Sequence, residues 1–328
     1  MMAVVTGGSG MLGSRIARLL VERGARVRVT YRPGDSVQAL GDLPVEHRPA
    51  DILDGEAVAA AIEGAEVVFH TAALVSFKPA LYARQMEVNV EGTRNLLAAA
   101  ARAAVRRVVH TSTINTLGIP PAGTVGDEET PFNWTEHRLG YMDSKRAAEE
   151  LALETARQPD GPDVVAALPG TFFGPGDVNL NAASYVRVVA RSPLVVFAPP
   201  GGTTVAHVDD VAAGHLLALE RGRRGGRYVL GGEPMSYRSL LLGIARALGR
   251  RRRVVVVPEE VLRGAGRVAA WLGERGLSAP LTPGMTAAIC SKLYYSSRKA
   301  VSELGWSFRP ADEALADSVG WCRGQGLL

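Results

Sequence analysis

The sequence is poor in cysteine, in lysine and in long apolar runs, and each shortage excludes a class of protein. Its 328 residues contain two cysteines, Cys290 and Cys322, which are too few for a disulfide framework or a thiolate metal site. We therefore expect a reducing, cytoplasmic environment and no bound metal. No stretch of about 18 apolar residues occurs, so we expect no membrane span. A predicted strand at the first residues leaves no room for a signal peptide.

Positive charge comes almost wholly from arginine, and the net charge is small. The formal net charge is +4, and the only lysines are Lys78, Lys145, Lys292 and Lys299. Arginines are dense at 221–227 and 250–253, as in some nucleic-acid-binding proteins. Both stretches lack interleaved aromatic residues, so we interpret them as solvated loops; in the alternative, one arginine reaches an anionic substrate. We expect a monomer or homodimer acting on a small molecule, with neither nucleic acid nor membrane as partner.

A glycine-rich loop near the N-terminus is the most informative feature that the sequence does contain. Apolar residues at 1–5 predict a buried strand, and the pattern at 14–22 predicts an amphipathic helix. Between them Gly7, Gly10 and Gly13 fit G-x-x-G-x-x-G, and the reading from Gly8 fits G-x-G-x-x-G. Such a loop lets the backbone approach a pyrophosphate at the positive end of the helix. The alternative is an ordinary glycine-rich turn.

Strands and helices alternate through the first half of the chain. The pattern predicts further strands at 27–31, 45–47, 67–70, 107–110 and 164–168, and helices at 55–62, 81–102 and 139–156. This alternation predicts an α/β Rossmann fold, a doubly wound parallel sheet with helices on both faces, and a smaller irregular C-terminal substrate-binding region.

The pattern also predicts the domain limits. Residues 1–168 form the dinucleotide-binding domain, to which 203–230 return with a helix at 207–219 and a strand at 227–230. The substrate-binding region then comprises 169–202 and 231–328, where loops rich in proline and glycine interrupt the periodic pattern.

Two groups of polar side chains have the spacing of a catalytic site. Tyr141 and Lys145 lie four residues apart in a predicted helix and share one face, where an ammonium can lower the pKa of a phenol. Thr111, Ser112 and Thr113 end the fifth predicted strand, where a hydroxyl can hold a substrate carbonyl. Surface pairs at helical spacing and hydroxyls that cap turns are common, so purely structural roles stay open.

Further motifs join these residues into a larger pattern. They are Thr6-Gly7-x-x-Gly10-x-x-Gly13, Asp51-Ile52, His70-Thr71-Ala72-Ala73, Asn89-Val90-Glu91-Gly92-Thr93, Thr111-Ser112-Thr113, Tyr141-x-x-Ser144-Lys145, Gly174-Pro175-Gly176 and His207-Val208-Asp209-Asp210-Val211-Ala212. With them the chain resembles an extended short-chain dehydrogenase/reductase of the epimerase/dehydratase superfamily over nearly its whole length. Within that superfamily it is most like dihydroflavonol-reductase-like proteins and hopanoid-associated sugar-epimerase-like proteins.

The resemblance implies a role for each matching residue. Thr113 would orient the substrate carbonyl, with Ser112 as the alternative, and Tyr141 would be the general acid and base. Lys145 would hold the nicotinamide ribose and lower the tyrosine pKa. The dinucleotide would contact Gly7, Gly10, Met11, Leu12, Arg32, Asp51, Ile52, Ala72, Ala73, Asn89, Tyr141, Lys145, Pro169, Thr171 and Phe172.

The residues after the second predicted strand indicate which dinucleotide binds. An acidic residue there would bind the ribose 2′-hydroxyl of NAD, but this chain has Arg32, with Asp35 beyond a Pro-Gly turn. A guanidinium suits the 2′-phosphate of NADP through its charge and paired donors. We therefore predict NADP(H); NAD(H) is the alternative if Arg32 only stacks on the adenine.

Two departures from sugar-nucleotide enzymes bear on the substrate. Leu168 precedes Pro169 where those enzymes often have arginine, and Ile114-Asn115 follow Thr113 where dehydratases usually have acidic residues. Aromatic residues of the predicted lid form an apolar pocket or belong to the core: Phe132, Trp134, Phe172, Phe173 and Tyr185. Against this, Arg187 and Arg191 lie four apart in a predicted lid helix, where they could present a cationic face.

The sequence thus predicts an NADPH-dependent reductase of a ketone or aldehyde. The first alternative is a nucleotide-sugar epimerase or dehydratase with tightly bound NAD. The second is a non-catalytic regulator that binds the dinucleotide, although such a protein has no need of Tyr141.

Overall fold

The computed structural model describes residues 1–273, 275 and 281–328. Its strands, numbered in chain order, are β1 Met2–Thr6, β2 Arg26–Tyr31, β3 Glu46–Pro49, β4 Val67–His70, β5 Arg107–Thr111, β6 Asp163–Pro169, β7 Thr171–Phe173, β8 Val195–Ala198, β9 Gly202–His207, β10 Arg227–Leu230, β11 Glu233–Ser236, β12 Arg253–Val256 and β13 Lys292–Leu293.

The helices alternate with the strands in the first half and dominate the second. They are α1 Met11–Glu22, α2 Gly55–Ile62, α3 Tyr82–Met86, α4 Gly92–Arg102, α5 Gly140–Arg157, α6 Ala183–Arg191, α7 Val208–Arg221, α8 Tyr237–Ala247, α9 Glu259–Gly273, α10 Pro283–Cys290 and α11 Ala311–Gly324. Local chemistry sets several of their ends. For example, the Asp54 carboxylate accepts from the backbone N–H groups of Glu56 and Ala57 and so begins α2.

The centre of the molecule is a seven-stranded parallel sheet in the order β10-β6-β5-β4-β1-β2-β3. Its inner strands are rich in valine and buried on both faces, as a sheet covered by helices requires. Helices α1 and α7 contact each other, and α2, α4 and α5 form a second contacting set. The predicted Rossmann class is therefore confirmed, and the strand ends at one edge define where a ligand binds.

Three sequence predictions need correction. Helix α1 begins at Met11, three residues earlier than predicted, so three residues expected in the loop lie in its first turn. The predicted helix at 81–102 contains a π-helical segment, Glu87–Glu91, which adds a residue per turn around buried Asn89. Strand β9, within the segment expected to return to the main sheet, instead lies in a second sheet with β7, β11 and β13; only β10 joins the main sheet.

The region after β6 has its own apolar core. Helices α6, α8 and α11 pack together, and Leu240, Ile244 and Leu315 are among its fully buried residues. A two-stranded parallel ribbon of β8 and β12 lies at its periphery. This region flanks the carboxyl edge of the main sheet through β7, whose Phe172 packs against the core of the main sheet.

Candidate active site

The glycine loop is built for close backbone contact between β1 and α1. Gly7 has φ +67°, and a Cβ placed on it would lie 2.8 Å from the Ala72 Cα. A Cβ on Gly13 would clash with the Gly7 carbonyl oxygen. Substitution at either position therefore strains the turn or drives the loop away from the strand end that carries Ala72.

The first turn of α1 has the properties of an anion site. Gly10 stands at the N-cap without a side-chain cap, and no acidic residue lies in the first turn. The backbone N–H groups at Met11 and Leu12 thus face the loop at the positive end of the helix. Because the loop is narrow and uncharged, these residues fit the pyrophosphate of a dinucleotide.

Arg32, predicted to lie near the adenine end of the dinucleotide, follows β2 directly. Its side chain is 67% exposed and pairs with Asp35 at 2.8 Å, and the charge of Asp51 also raises the pKa of Arg32. Asp51 itself accepts from the Leu53 backbone N–H at 3.0 Å, while Ile52 packs on Gly92 of α4. The structure therefore brings Arg32 and Asp51 to one end of the sheet, but Asp35 already partners the arginine.

The predicted catalytic hydroxyls lie at the end of β5 and the start of α5. The Thr113 side chain is near enough to the partly buried Tyr141 hydroxyl to lower its pKa against the larger rise that burial causes. Ser112 points the other way, into the protein, where its hydroxyl donates to the Glu149 carboxylate. The geometry therefore favours Thr113 over the alternative Ser112 as the hydroxyl that faces a substrate.

Lys145 lies one helical turn beyond Tyr141 and is 4% exposed. Its ammonium donates to the Thr111 carbonyl oxygen at 2.6 Å, and the Thr111 hydroxyl contacts His215 at 3.0 Å. Burial lowers the pKa of Lys145 to about 8, while the nearby Glu149 carboxylate raises it. The strand end and α7 thus hold the ammonium in place.

The tyrosine pKa differs from the sequence prediction. Burial raises the pKa of Tyr141, and the nearby Thr113 side chain is the opposing influence. The expected lowering by Lys145 does not occur in this arrangement, because the ammonium is bonded to the Thr111 carbonyl. Tyr141 is accordingly a neutral phenol at physiological pH, the form that donates a proton.

Glu149 is a functional candidate that the sequence reasoning missed. It is fully buried one turn beyond Lys145, and its Oε1 lies 2.7 Å from the Arg227 Nε, at an angle that makes an ion pair and not a linear hydrogen bond. The carboxylate also accepts from the hydroxyls of Ser112 and Thr116, which lie on either side of Thr113. The spacing of four residues between Tyr141, Lys145 and Glu149 places all three on one face of α5, and this pattern could have indicated Glu149 from the sequence.

Asn89 connects the loop after β4 to the catalytic helix. Its side chain accepts from the Leu74 backbone N–H at 2.7 Å and donates to the Ser144 hydroxyl at 2.9 Å. The loop carries Phe77, which is 43% exposed and makes an edge contact with the Tyr141 ring at 5.7 Å. Phe77, which no sequence motif pointed to, therefore lies beside Tyr141.

The remaining predicted cofactor residues line neighbouring strand ends. Ala72 lies against Gly7 and Ala73 follows it, more exposed. Pro169 is buried at the end of β6. In β7 the Thr171 hydroxyl contacts that of Thr203 at 3.0 Å, and Thr171 and Phe172 belong to the second sheet.

The aromatic residues of the predicted lid differ in burial. Trp134 and Phe173 are fully buried core residues, and the Trp134 indole donates to the Leu117 carbonyl. Tyr185 packs against Phe173, while Phe132 and Phe172 are partly buried beside the cores. The expected aromatic lid is therefore mostly core. Arg187 is partly buried and Arg191 exposed, so they do not present one cationic face.

Most arginines of the two clusters are exposed, as expected of solvated loops, but several of their guanidinium groups also bond to the protein. Arg224 donates to the Ala156, Gln158 and Gly161 carbonyls at the end of α5, and Arg227 is the buried partner of Glu149. Arg250 donates to the Ala190 carbonyl in the last turn of α6. Carbonyls at helix ends carry partial negative charge, which is why guanidinium groups gather there.

Other possible sites are few in the part of the chain that the structure describes. A surface hollow of about 810 Å³ is lined by Asp143, Arg146 and Glu150, which lie on a different face of α5 from Tyr141 and Lys145. Among the described residues, no three His, Cys, Asp or Glu side chains converge on a metal position. None of the described helices is long and apolar enough to cross a bilayer.

A glycine loop under a helix N-terminus, with a Thr, Tyr and Lys set at the adjacent strand ends, defines a nicotinamide-dinucleotide-dependent enzyme of the short-chain dehydrogenase/reductase type. Residues 3–231 match the NAD dependent epimerase/dehydratase family, and the chain belongs to that family. The resemblance seen in the sequence is thereby confirmed, as is the expectation of an enzyme with a nicotinamide cofactor.

Individual relatives include reductases and epimerases. The chain is 33% identical to sterol demethylase protein B of Methylococcus capsulatus, with all of both chains covered. It is 32% identical to a 4-hydroxy-2-methyl-3-oxo-4-farnesyl-3,4-dihydroquinoline-1-oxide ketoreductase of Stigmatella aurantiaca, which covers 97% of this chain and 96% of the relative. Among solved structures, Thermus thermophilus UDP-glucose 4-epimerase in complex with NAD has a TM-score of 0.78 at 27% identity, with 99% of each chain covered.

Proposed function

We propose that the protein is an NADPH-dependent reductase of a hydrophobic ketone or aldehyde. The observation that carries the proposal is the meeting of Thr113 and Tyr141 beside Phe77, with Lys145 one turn behind. The ketoreductase among the relatives supports the reaction class.

The chain's own residues account for the proton chemistry. Thr113 donates a hydrogen bond to the substrate carbonyl oxygen, which places that oxygen beside Tyr141. The Tyr141 hydroxyl then gives its proton to the same oxygen as charge develops there. Lys145, protonated below its pKa of about 8, donates to the Thr111 carbonyl and so holds the strand end that carries Thr113. A bound nicotinamide dinucleotide supplies the hydride.

An apolar substrate is supported by the side chains near Tyr141. Phe77 offers an exposed ring in contact with the tyrosine, and Leu168 is fully buried in the core, so no guanidinium stands at that position. A diphosphate would find few partners in such surroundings, whereas an apolar ligand gains by displacing water. The sterol named in one relative and the farnesyl group named in another are consistent with this substrate class.

NADP(H) is the proposed form of the cofactor because Arg32 follows β2, where an acidic residue would instead bind the 2′-hydroxyl of NAD. The guanidinium is exposed, so a phosphate can take the place of Asp35 as its partner. A cytoplasmic location, and a monomer or homodimer, remain part of the same proposal; both cysteines are free thiols.

The test is a spectrophotometric screen of NADPH oxidation against hydrophobic ketones and aldehydes. We expect one NADPH consumed per carbonyl reduced, with long-chain or polycyclic compounds better than short polar ones. If no carbonyl compound accelerates NADPH oxidation above the rate without substrate, the proposal is wrong.

The alternative function is that of a nucleotide-sugar epimerase, which one observation favours. The Nε of Arg187 is buried and has no hydrogen-bond partner among the described residues. A sugar diphosphate could satisfy it. Calorimetry with UDP- and GDP-sugars in the presence of NADP⁺ decides between the two, since micromolar binding of either sugar would favour the epimerase.

A further inference from the structure

One surface of the C-terminal region leaves apolar side chains in solvent. In the ribbon of β8 and β12, Val196 and Val254 face the core, whereas Phe197 is 67% exposed and Leu194, just before β8, is 72% exposed. Only Val257 and Pro258 separate β12 from α9. We call the exposed apolar residues of these elements the ribbon–helix surface: Leu194, Val195, Phe197, Val261, Val268 and Trp271.

Helix α9 has an apolar stripe on the side away from the protein. Its inner side is made of small residues: Gly266 lies so near Thr286 of α10 that a Cβ would come within 2.6 Å of the threonine hydroxyl. On the outer side Val261, Ala265 and Val268 follow one another at intervals of four and three residues, all exposed. Such spacing is typical of a helix that buries this face against something else.

The segment that contains β12 and α9 also contains the net positive charge of the chain. Residues 250–275 contain seven arginines and three glutamates, so their net charge is +4, the formal net charge of the whole protein. The rest of the chain is therefore neutral. Arg251, Arg253 and Arg267 are exposed and have no carboxylate partner among the described residues, and the Arg275 guanidinium lies 3.8 Å above the exposed Trp271 ring.

We propose that the ribbon–helix surface docks the protein on an anionic lipid bilayer. An apolar helix stripe flanked by arginine, with a tryptophan at its end, matches the layered chemistry of a lipid surface, where acyl chains lie below anionic headgroups. A second copy of this chain would instead bring a second charge of +4 to the contact, which opposes pairing through this face. The proposal replaces the sequence expectation that a membrane is not a partner of the protein. The expectation of no membrane span is unaffected, because α9 lies on the surface.

The proposal stands apart from the catalytic site. None of the residues of the ribbon–helix surface belongs to the glycine loop or to the set of Thr113, Tyr141 and Lys145, and binding can be measured without substrate or cofactor. Its failure would therefore leave the proposed reductase untouched.

Flotation of the full chain with vesicles tests the proposal. We expect the protein to float with phosphatidylcholine vesicles that contain 30% phosphatidylglycerol in low salt, and to remain in the dense fraction with phosphatidylcholine alone. Binding should weaken steeply as salt is raised, because the charges are exposed. Failure to float with the anionic vesicles, or equal flotation with both kinds, would overturn the proposal.

Paired variants assign the binding to this surface. The double variant Arg251→Gln/Arg253→Gln should lose about 25-fold in affinity, about fivefold for each charge near a lipid surface. Val268→Glu/Trp271→Glu should lose tenfold or more. The matched controls are Arg84→Gln/Arg94→Gln and Val125→Glu/Val301→Glu, which change equally exposed residues elsewhere and should bind like the wild type. Equal losses in test and control variants would contradict the assignment.

Tryptophan fluorescence gives an independent readout that does not depend on variants with new charges, which could disturb the fold. Of the four tryptophans, Trp134 and Trp306 are buried, Trp321 is partly buried against the C-terminal core, and Trp271 is 52% exposed. Brominated lipids in the anionic vesicles should quench the wild type and quench Trp271→Phe much less. Equal quenching, or a dimer that Phe197→Glu converts to a monomer in lipid-free solution, would show that the surface serves another purpose.

Discussion

The carboxyl edge of the central sheet and the ribbon–helix surface differ in the burial and pairing of their charged side chains. At the sheet edge the charged groups are buried and matched: Lys145 to the Thr111 carbonyl, and Glu149 to Arg227. At the ribbon–helix surface the arginines are exposed and the apolar groups lie beside them in water. The charged groups of the sheet edge therefore find their partners within the chain. The arginines of the ribbon–helix surface are left for an external partner, which we propose to be an anionic bilayer.

The matched groups of the sheet edge should be sensitive to small changes. We expect Tyr141→Phe to lose about 10²- to 10⁴-fold in turnover, since it removes the proton donor and leaves the glycine loop unchanged. Dinucleotide affinity, measured by fluorescence titration, should change little. Tyr82→Phe, on α3, is the control and should keep full activity. Near wild-type turnover in Tyr141→Phe would remove this residue from the mechanism.

Breaking the buried ion pair should cost stability. Glu149→Ala leaves Arg227 buried without its partner, which typically costs about 3–5 kcal/mol in the free energy of unfolding. Glu150→Ala, its exposed neighbour that pairs with Arg146, should cost less than about 1 kcal/mol. Urea unfolding measures the free energy of unfolding of both variants. Equal losses would mean that Glu149 is not the buried partner of Arg227.

Buried histidines should make the sheet edge sensitive to acid. Burial lowers the pKa of His70 to about 3 and of His215 to about 4, and it lowers that of His110 well below its ordinary value. The unfolded chain therefore binds more protons below its ordinary histidine pKa of about 6.5, and stability is lost as pH falls from there towards about 4. Three such groups give at most about 4 kcal/mol per pH unit.

Urea unfolding at pH 7, 6 and 5 checks this dependence. The free energy of unfolding should fall with each step, and the fall should be smaller in a variant with His110→Phe. A flat profile between pH 7 and 5 would contradict the burial of neutral histidines at the sheet edge.

The smallest effect is expected at Arg32, which is exposed like the arginines of the ribbon–helix surface but pairs with Asp35. Arg32→Ala should weaken NADPH binding about tenfold, since it removes a charge-assisted contact to phosphate, and should leave NADH nearly unchanged. Asp35→Ala frees the guanidinium and should strengthen NADPH binding. Equal changes for both dinucleotides would show that Arg32 does not distinguish them.

The sequence predicted the sheet better than the region beyond it, for a physical reason. Strand β4, helix α2 and strand β10 have the predicted bounds, because short apolar runs and a capping Asp54 mark them locally. The pairing of β9 with β7, β11 and β13 joins short segments far apart in sequence, and no local pattern encodes such pairing.

The candidate site was predictable by residue type but not by arrangement. Tyr141, Lys145 and Thr113 could be chosen from spacing. That Ser112 turns inward, or that Lys145 bonds to a carbonyl, depends on the buried Glu149 and on how α5 packs. Phe77 could not be found, because tertiary contacts of its loop with Gln85 and Asn89 bring it to Tyr141.

The most direct test of the account follows the hydride. The protein is mixed with a hydrophobic ketone and NADPH that carries deuterium at the transferable C4 position, and the product alcohol is analysed by mass spectrometry. The account predicts one deuterium on the carbinol carbon of the product, with Tyr141→Phe forming almost none. Unlabelled product, or intact NADPH while a UDP-sugar is epimerised, would contradict it.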